Sequence, residues 1–199
     1  FLREFNTVKL YYRNFDEAAV QYTVNNDTTL HIDALRNSGS LQEWIYKRDK
    51  MKSIRFEFYP HDSLRLYGAA FEGPDGIYVD NFSLRGNSGI SLLGLSDNML
   101  RSFSRFRDYK LVILQFGLNS VIEDSLNYRA YTKRMIQVVN KLKRAFPRSS
   151  FLLLSVSDRS SNKTGIMATM NAIPAMRNAQ REIAQKTKIA FWDMFEAMG

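Results

Sequence analysis

The sequence predicts an α/β protein: a three-layer α/β/α sandwich around a parallel sheet, preceded by an antiparallel β-sandwich of jelly-roll type. Three observations predict it. Short segments in which apolar and polar residues alternate recur through the first 75 positions at about 8–12-residue spacing, the pattern of an antiparallel sandwich. After the turn Gly73-Pro74-Asp75-Gly76 the period lengthens from two residues to that of a helix. Between the helical stretches lie near-continuous apolar runs at 110–116 and 151–156, as in strands covered on both faces. The division is therefore read as a β segment over 1–75 and an α/β core over 76–199.

The β segment opens with Val8-Lys9-Leu10-Tyr11-Tyr12 and Val20-Gln21-Tyr22-Thr23-Val24. Both carry the β-branched and aromatic residues that suit a pleated, half-buried surface. Asn25-Asn26-Asp27 supplies a turn, and the segments 29–32, 43–46, 53–59 and 64–68 continue the series. A further strand, Ile77-Tyr78-Val79-Asp80, opens the second part. From Ile90 to Phe106, Leu92, Leu93, Met99, Leu100, Phe103 and Phe106 recur at helical spacing and predict one helix. A strand over 111–116 follows, then an amphipathic helix from Tyr128 to Phe146 that stops at Pro147. A strand over 151–156, a helix over 172–186 with Pro174 near its start, and a strand over 189–192 complete the order. Strands alternating with helices imply βαβ units and helices on both faces of a parallel sheet.

Composition narrows the function classes. Hydrophobic residues make up 45% of the 199 residues and charged residues 24%, enough to bury a core. With no cysteine, disulfides, zinc–thiolate sites and a cysteine nucleophile are excluded. No apolar run approaches the roughly 18 residues of a membrane-spanning helix. The net charge of +8 suits an anionic glycan, an anionic membrane surface or nucleic acid. Its basic residues are scattered, however, and the densest run, Lys141-Leu142-Lys143-Arg144, reads as a solvated helix face, so no nucleic-acid partner is expected. No phosphate-binding glycine loop is present. Asp158, Asp193 and Glu196 have no histidine beside them in a metal-ligand spacing. Neither a metal nor an organic cofactor is expected, and oligomeric state is not legible. The start at Phe1, without a methionine, reads as a boundary within a longer polypeptide.

Candidate chemistry gathers where strands end. The run 110–116 ends in Gly117-Leu118-Asn119, and ligands bind at that edge of open parallel sheets. A glycine there lets the chain turn tightly, and the asparagine amide is a donor that can face a developing oxyanion. Arg85-Gly86-Asn87-Ser88-Gly89 follows the strand at 77–80 and opens a helix, whose first N–H groups are unpaired and suit an anion. Neighbouring strand ends would bring both loops to one site. The same residues also read as turn chemistry alone, with Gly86 and Gly89 in the turn and Asn87 or Ser88 capping the helix.

These blocks resemble the SGNH hydrolases, the GDSL-type esterase superfamily. Asp80-Asn81-Phe82-Ser83-Leu84-Arg85-Gly86 is similar to the second conserved block, whose glycine donates a backbone N–H to the oxyanion hole. Phe116-Gly117-Leu118-Asn119-Ser120 is similar to the third, whose asparagine donates its side-chain N–H, and Ser155-Val156-Ser157-Asp158-Arg159 sits where these enzymes have a loop after the next strand. Within the superfamily the likeness is closest to bacterial envelope members related to peptidoglycan O-acetylesterases, which carry a β-sandwich between the first and second blocks. The resemblance covers residues 70–199, with 1–70 matched by architecture alone. It implies Gly86 and Asn119 as oxyanion donors. It further implies Arg85, Asn87, Gly117, Ser120 and Asp158 at the substrate, which would be a small acyl ester, typically acetyl, on a carbohydrate. No cofactor is implied, and the location would be periplasmic or secreted.

Two departures qualify that expectation. The family's nucleophile lies in a Gly-Asp-Ser motif, which does not occur here, and its Asp-x-x-His block has not appeared by Gly199. The expectation is an internal segment of a longer enzyme, holding oxyanion donors but neither nucleophile nor base. The alternative is a non-catalytic carbohydrate-binding or scaffolding protein that kept the fold without the triad. The visible residues offer little substitute: His31 falls in an alternating strand, and His61-Asp62-Ser63 reads as a turn. Asp193 reads as a helix N-cap, as does Asp124 or Ser125 for the helix that follows them. Tyr11, Tyr12, Trp44, Tyr46 and Tyr59 are candidates for a sugar-stacking platform.

Overall fold

Period-two alternation in the first part is realised as six strands: β1 (Phe5–Asn14), β2 (Ala18–Val24), β3 (His31–Leu35), β4 (Ser38–Met51), β5 (Ile54–Pro60) and β6 (Leu64–Glu72). The structure is a computed structural model that describes residues 4–162 and 165–198. The strands pair antiparallel in two three-stranded sheets, β4-β1-β6 and β3-β2-β5. Alternate residues Val8, Leu10 and Tyr12 of β1 and Val20, Tyr22 and Val24 of β2 enter one apolar cluster with Leu35, Trp44 and Met51. Each sheet thus buries one face against the other, as the sequence pattern requires.

One predicted strand does not form. Residues 77–80 have no strand pairing, and Ile77 and Val79 are 94% and 85% exposed. A strand is completed by its neighbour, and none of the described residues supplies one here. The turn chemistry at 73–76 is present, with Gly76 at φ 122.

The chain divides into two compact units, 1–82 and 83–199. The second contains a 3-10 turn (Ile90–Gly94), α1 (Asp97–Phe106), β7 (Leu111–Gln115), a 3-10 turn (Leu118–Ser120), α2 (Arg129–Ala145) and β8 (Ser150–Leu154). The antiparallel pair β9 (Ser160–Asn162) and β10 (Met167–Thr169), α3 (Ala172–Thr187), β11 (Ala190–Trp192) and α4 (Met194–Ala197) follow. Strands β11, β8 and β7 form a parallel sheet in that order. The result is the mixed α/β class that the change of period predicts.

Local details differ from the sequence reading. The helix expected over 90–106 is two pieces, because Ser96 caps α1, its Oγ accepting the Met99 N–H at 3.4 Å. Helix α2 begins at Arg129 with Tyr128 at its N-cap position, so neither Asp124 nor Ser125 caps it. Asn127 Oδ1 instead accepts the Arg129 N–H at 3.1 Å.

The layering also differs. Helices α2 and α3 pack on each other, and their apolar stripes share one cluster with Leu114, Phe151 and Leu153 of the sheet. Because strand side chains alternate, Leu111, Ile113 and Trp192 point to the opposite face. They are 49%, 53% and 53% exposed. Among the described residues, helices therefore cover one face of the sheet rather than both, giving two layers where three were expected.

Candidate active site

Two loops of the second unit meet beside the C-terminal end of β7. In the first, Gly86 adopts φ 77, a conformation that glycine reaches without the Cβ penalty. The turn is closed by the Asn87 N–H donating to Leu84 O at 3.2 Å. Asn87 Oδ1 accepts from the Gly89 N–H at 2.7 Å, and Ser88 Oγ accepts from the Ile90 N–H at 3.3 Å. These are local side-chain turns ahead of the 3-10 turn, whose N-cap position is held by Gly89 without a side-chain cap, so neither Asn87 nor Ser88 caps it as expected. Lys141 of α2 anchors the far end of that turn, donating to Leu93 O at 2.9 Å and pairing with Asp97 at 3.1 Å. The basic run that read as a solvated face is thus partly structural, since Lys143 also donates to Thr187 O at 2.8 Å.

In the second loop, Gly117 sits at φ 118 and ψ −41 and leads into the turn 118–120. Ser120 closes the turn, its N–H donating to Gly117 O at 2.7 Å. The loops touch in two places. Gly89 lies so close to the Phe116 ring that an added Cβ would come within 2.8 Å of it. Asn119 Nδ2 donates to Asn87 O at 3.2 Å. A primary amide has two N–H groups. One is committed to Asn87, which orients the exposed Asn119 side chain and leaves the other free for a ligand. Among the described residues, Gly86 N–H, one residue before Asn87, has no hydrogen-bond partner. The arrangement thus offers two hydrogen-bond donors on adjoining loops beside a parallel strand end.

The remaining expected site residues divide. Asn87, Gly117 and Ser120 are part of this two-loop arrangement, and Arg85 is exposed in the Gly86 turn. Asp158 follows β8 and accepts a hydrogen bond from Ser160 Oγ at 3.3 Å, with no bond to either loop. No cluster of three or more potential metal ligands occurs among the described residues.

Of two residues that the sequence reading passed over, Gln180 supports the second loop from behind and Arg177 holds the C-terminal helix α4. Gln180 of α3 is wholly buried, donating from Nε2 to Phe116 O at 2.7 Å and accepting at Oε1 from the Val156 N–H at 2.8 Å. Its signal was a polar residue inside the stripe Ile173, Met176, Ala179, Ile183. Arg177 holds Asp193 through Nε at 2.7 Å and Glu196 through Nη2 at 2.7 Å. Asp193 does cap α4, its Oδ1 accepting the Glu196 N–H at 3.3 Å, and it also pairs with Arg181 at 2.6 Å.

Most of the histidines and ring candidates of the first unit resolve as structure, with Tyr59 left 53% exposed. His61 Nδ1 lies 2.8 Å from Asp16 Oδ2 and is exposed, so Asp62 and Ser63 do not form a triad with it. His31, half-buried on β3, stacks on Tyr22 with ring centroids 5.1 Å apart. Tyr11, Tyr12 and Trp44 are buried, which removes them from an exposed sugar platform. Trp44 Nε1 and Tyr22 OH both donate to Asp33.

No protein-family profile matches the chain, and no curated protein sequence matches it. Solved structures do. A peptidoglycan O-acetylesterase superposes with a TM-score of 0.74 at 16% identity, covering 100% of this chain and 54% of that one. A Bacillus subtilis protein superposes with a TM-score of 0.42 at 11% identity, covering 98% of this chain and 66% of that one. A carbohydrate esterase family 2 enzyme with a carbohydrate-binding domain, from Corynascus thermopiles (Myceliophthora fergusii), gives 0.39 at 12%, covering 96% and 81%. The first of these describes the fold: the chain has an SGNH hydrolase-like fold and spans about half the length of that enzyme.

Proposed function

We propose that this chain is the oxyanion-binding part of an SGNH-type serine esterase that removes small acyl groups, acetyl above all, from a glycan. The observation that carries the reading is the Asn119 amide, tied by one N–H to Asn87 O at 3.2 Å beside the unpaired Gly86 N–H. The likeness of fold to a peptidoglycan O-acetylesterase supports it.

In this reading a serine from outside the 199 residues attacks the acyl carbonyl while a base, also from outside, takes its proton. The carbonyl oxygen becomes an oxyanion held by Gly86 N–H and the free Asn119 N–H. Collapse expels the glycan alkoxide, which takes the proton from the conjugate acid of the base, and water then hydrolyses the acyl-enzyme to the free acid. No cofactor enters these steps. An envelope glycan as substrate carries with it a periplasmic or secreted location.

The test is fluorophosphonate labelling of the natural polypeptide that contains these residues, read by intact mass, beside turnover of p-nitrophenyl acetate. One covalent adduct on a serine together with ester turnover is expected. A natural polypeptide that takes no adduct, turns over no ester and binds glycan would replace the esterase with a carbohydrate-binding protein.

A further inference from the structure

The pairing of β7 with β8 ends at Gln115 and Leu154. Just beyond, Phe116 O and Val156 N–H belong to two diverging chain ends that no longer exchange backbone hydrogen bonds. Gln180 joins them. Its carboxamide donates to Phe116 O at 2.7 Å and accepts from Val156 N–H at 2.8 Å, acting as one further rung of the ladder in a side chain. A buried amide is costly unless both its ends are satisfied, and here both are satisfied by the backbone at the site.

The fit is reciprocal. A Cβ at Gly117 would lie 2.8 Å from Gln180 Nε2 and 2.9 Å from Val156 Cγ1. Gly117 is therefore seated directly on the Gln180 amide, two residues before Asn119. Tyr131 of α2 packs behind, its hydroxyl buried.

We propose that Gln180 is the positioning residue of the oxyanion hole: by bridging Phe116 O and Val156 N–H it sets where the Gly117-Leu118-Asn119 turn stands, and so where the free Asn119 N–H points. This rests on the reading of Asn119 as an oxyanion donor. Gln180 touches no reacting atom and acts only through Asn119.

A double-mutant cycle on p-nitrophenyl acetate, in the natural polypeptide and normalised by active-site titration, tests it. Gln180→Met removes both hydrogen bonds at similar volume. Displacement of the turn is expected to lower kcat by about 10–100-fold with KM little changed. In the Asn119→Ala background the same substitution is expected to cost less than about twofold, because the group it positions is gone. An equal factor in both backgrounds would make Gln180 a structural residue only and overturn the inference. If Asn119→Ala is itself as active as the parent, the oxyanion reading fails and the inference falls with it. The first result leaves that reading standing and the second does not.

Gln180→Glu provides a second test should Gln180→Met not fold. An ionised carboxylate still accepts from Val156 N–H but turns an acceptor toward Phe116 O, whereas the neutral acid restores the donor. Burial and the facing carbonyl raise the pKa of that carboxyl. Tyr131 from α2 stays neutral in this range, since burial holds its hydroxyl well above the usual value, against the pull of the Gln180 amide. Arg177 and Arg181 on α3 are engaged by Asp193. The kcat of Gln180→Glu relative to the parent is therefore expected to recover as pH falls, while KM stays flat. A ratio that does not change with pH overturns the inference.

Discussion

At Gly117 a hydrogen atom is all that the space allows. Two conditions act there at once: φ is 118, and a Cβ would strike Gln180 and Val156. Gly86 meets only the first, with φ 77 and open space where a methyl group would stand. The two glycines should therefore respond differently to alanine. Gly86→Ala is expected to lose about 1–2 kcal/mol, the cost of a left-handed backbone. Gly117→Ala is expected to lose more, adding overpacking of about 1–3 kcal/mol. Urea unfolding of both variants checks the order, and equal losses would refute it. For Asn119 the expectation concerns rate instead. Asn119→Ala in the natural polypeptide should lower kcat by about 100–1000-fold with KM nearly unchanged, as for the removal of one oxyanion donor. An unchanged kcat would remove the asparagine from the mechanism.

Among the elements, the short C-terminal helix α4 depends most on a single side chain. Asp193 caps it and receives Arg177 and Arg181 from α3. Burial pushes the Asp193 carboxyl up, but the hydrogen bonds from Arg177, the Glu196 N–H and Arg181 outweigh this and hold its pKa below the usual carboxylate value. A depressed folded pKa means that this stabilisation is present in full above the unfolded value of about 3.9. It is lost as pH falls through the folded value. Thermal melts are therefore expected to show a decline below about pH 4 that is shallower in Asp193→Asn. At neutral pH Asp193→Asn should be less stable by about 1.5–3 kcal/mol, the worth of a hydrogen bond to a charged group. Identical acid limbs in the two proteins would contradict the assignment.

On the scale of the whole molecule, the open face of the parallel sheet has a consequence for association in solution. Leu111 and Ile113 of β7 leave apolar area exposed on that face, with Trp192 exposed on the far edge strand β11, and such faces drive association. The net charge of +8 opposes it by repulsion. The 199-residue chain is expected to bind an apolar dye and to associate more as salt screens its charge. Leu111→Ser with Ile113→Ser should reduce both effects, read by dye fluorescence and sedimentation. Dye binding unaltered by the pair of substitutions would place the responsible surface elsewhere. No helix among the described residues is long and apolar enough to cross a membrane.

Elements with strong internal periodicity are legible in the sequence itself. Alternation in residues 5–72 and the 3.6-residue stripe of α2 and α3 each report which face a segment buries, and burial of that face is what holds the segment in place. The strand-end motif at 117–119 is legible for the same local reason, since a glycine and an amide after an apolar run need no distant partner to be noticed. What escapes depends on distant partners. The alternation at 77–80 looks like a strand but pairs with no strand among the described residues. The break at Ser96 turns on a side-chain cap, and the sheet face left open turns on which helices pack against it. Gln180 is in plain view as a polar residue in an apolar stripe, yet its meaning lies 64 positions away at Phe116. Sequence alone thus settles the mixed α/β class and brings the glycine and amide at 117–119 to notice, because these follow from local pattern and burial. Tertiary structure alone decides that Asn119 meets Asn87 and that Gln180 stands behind them, because a hydrogen bond is a matter of distance and angle that separation along the chain does not encode.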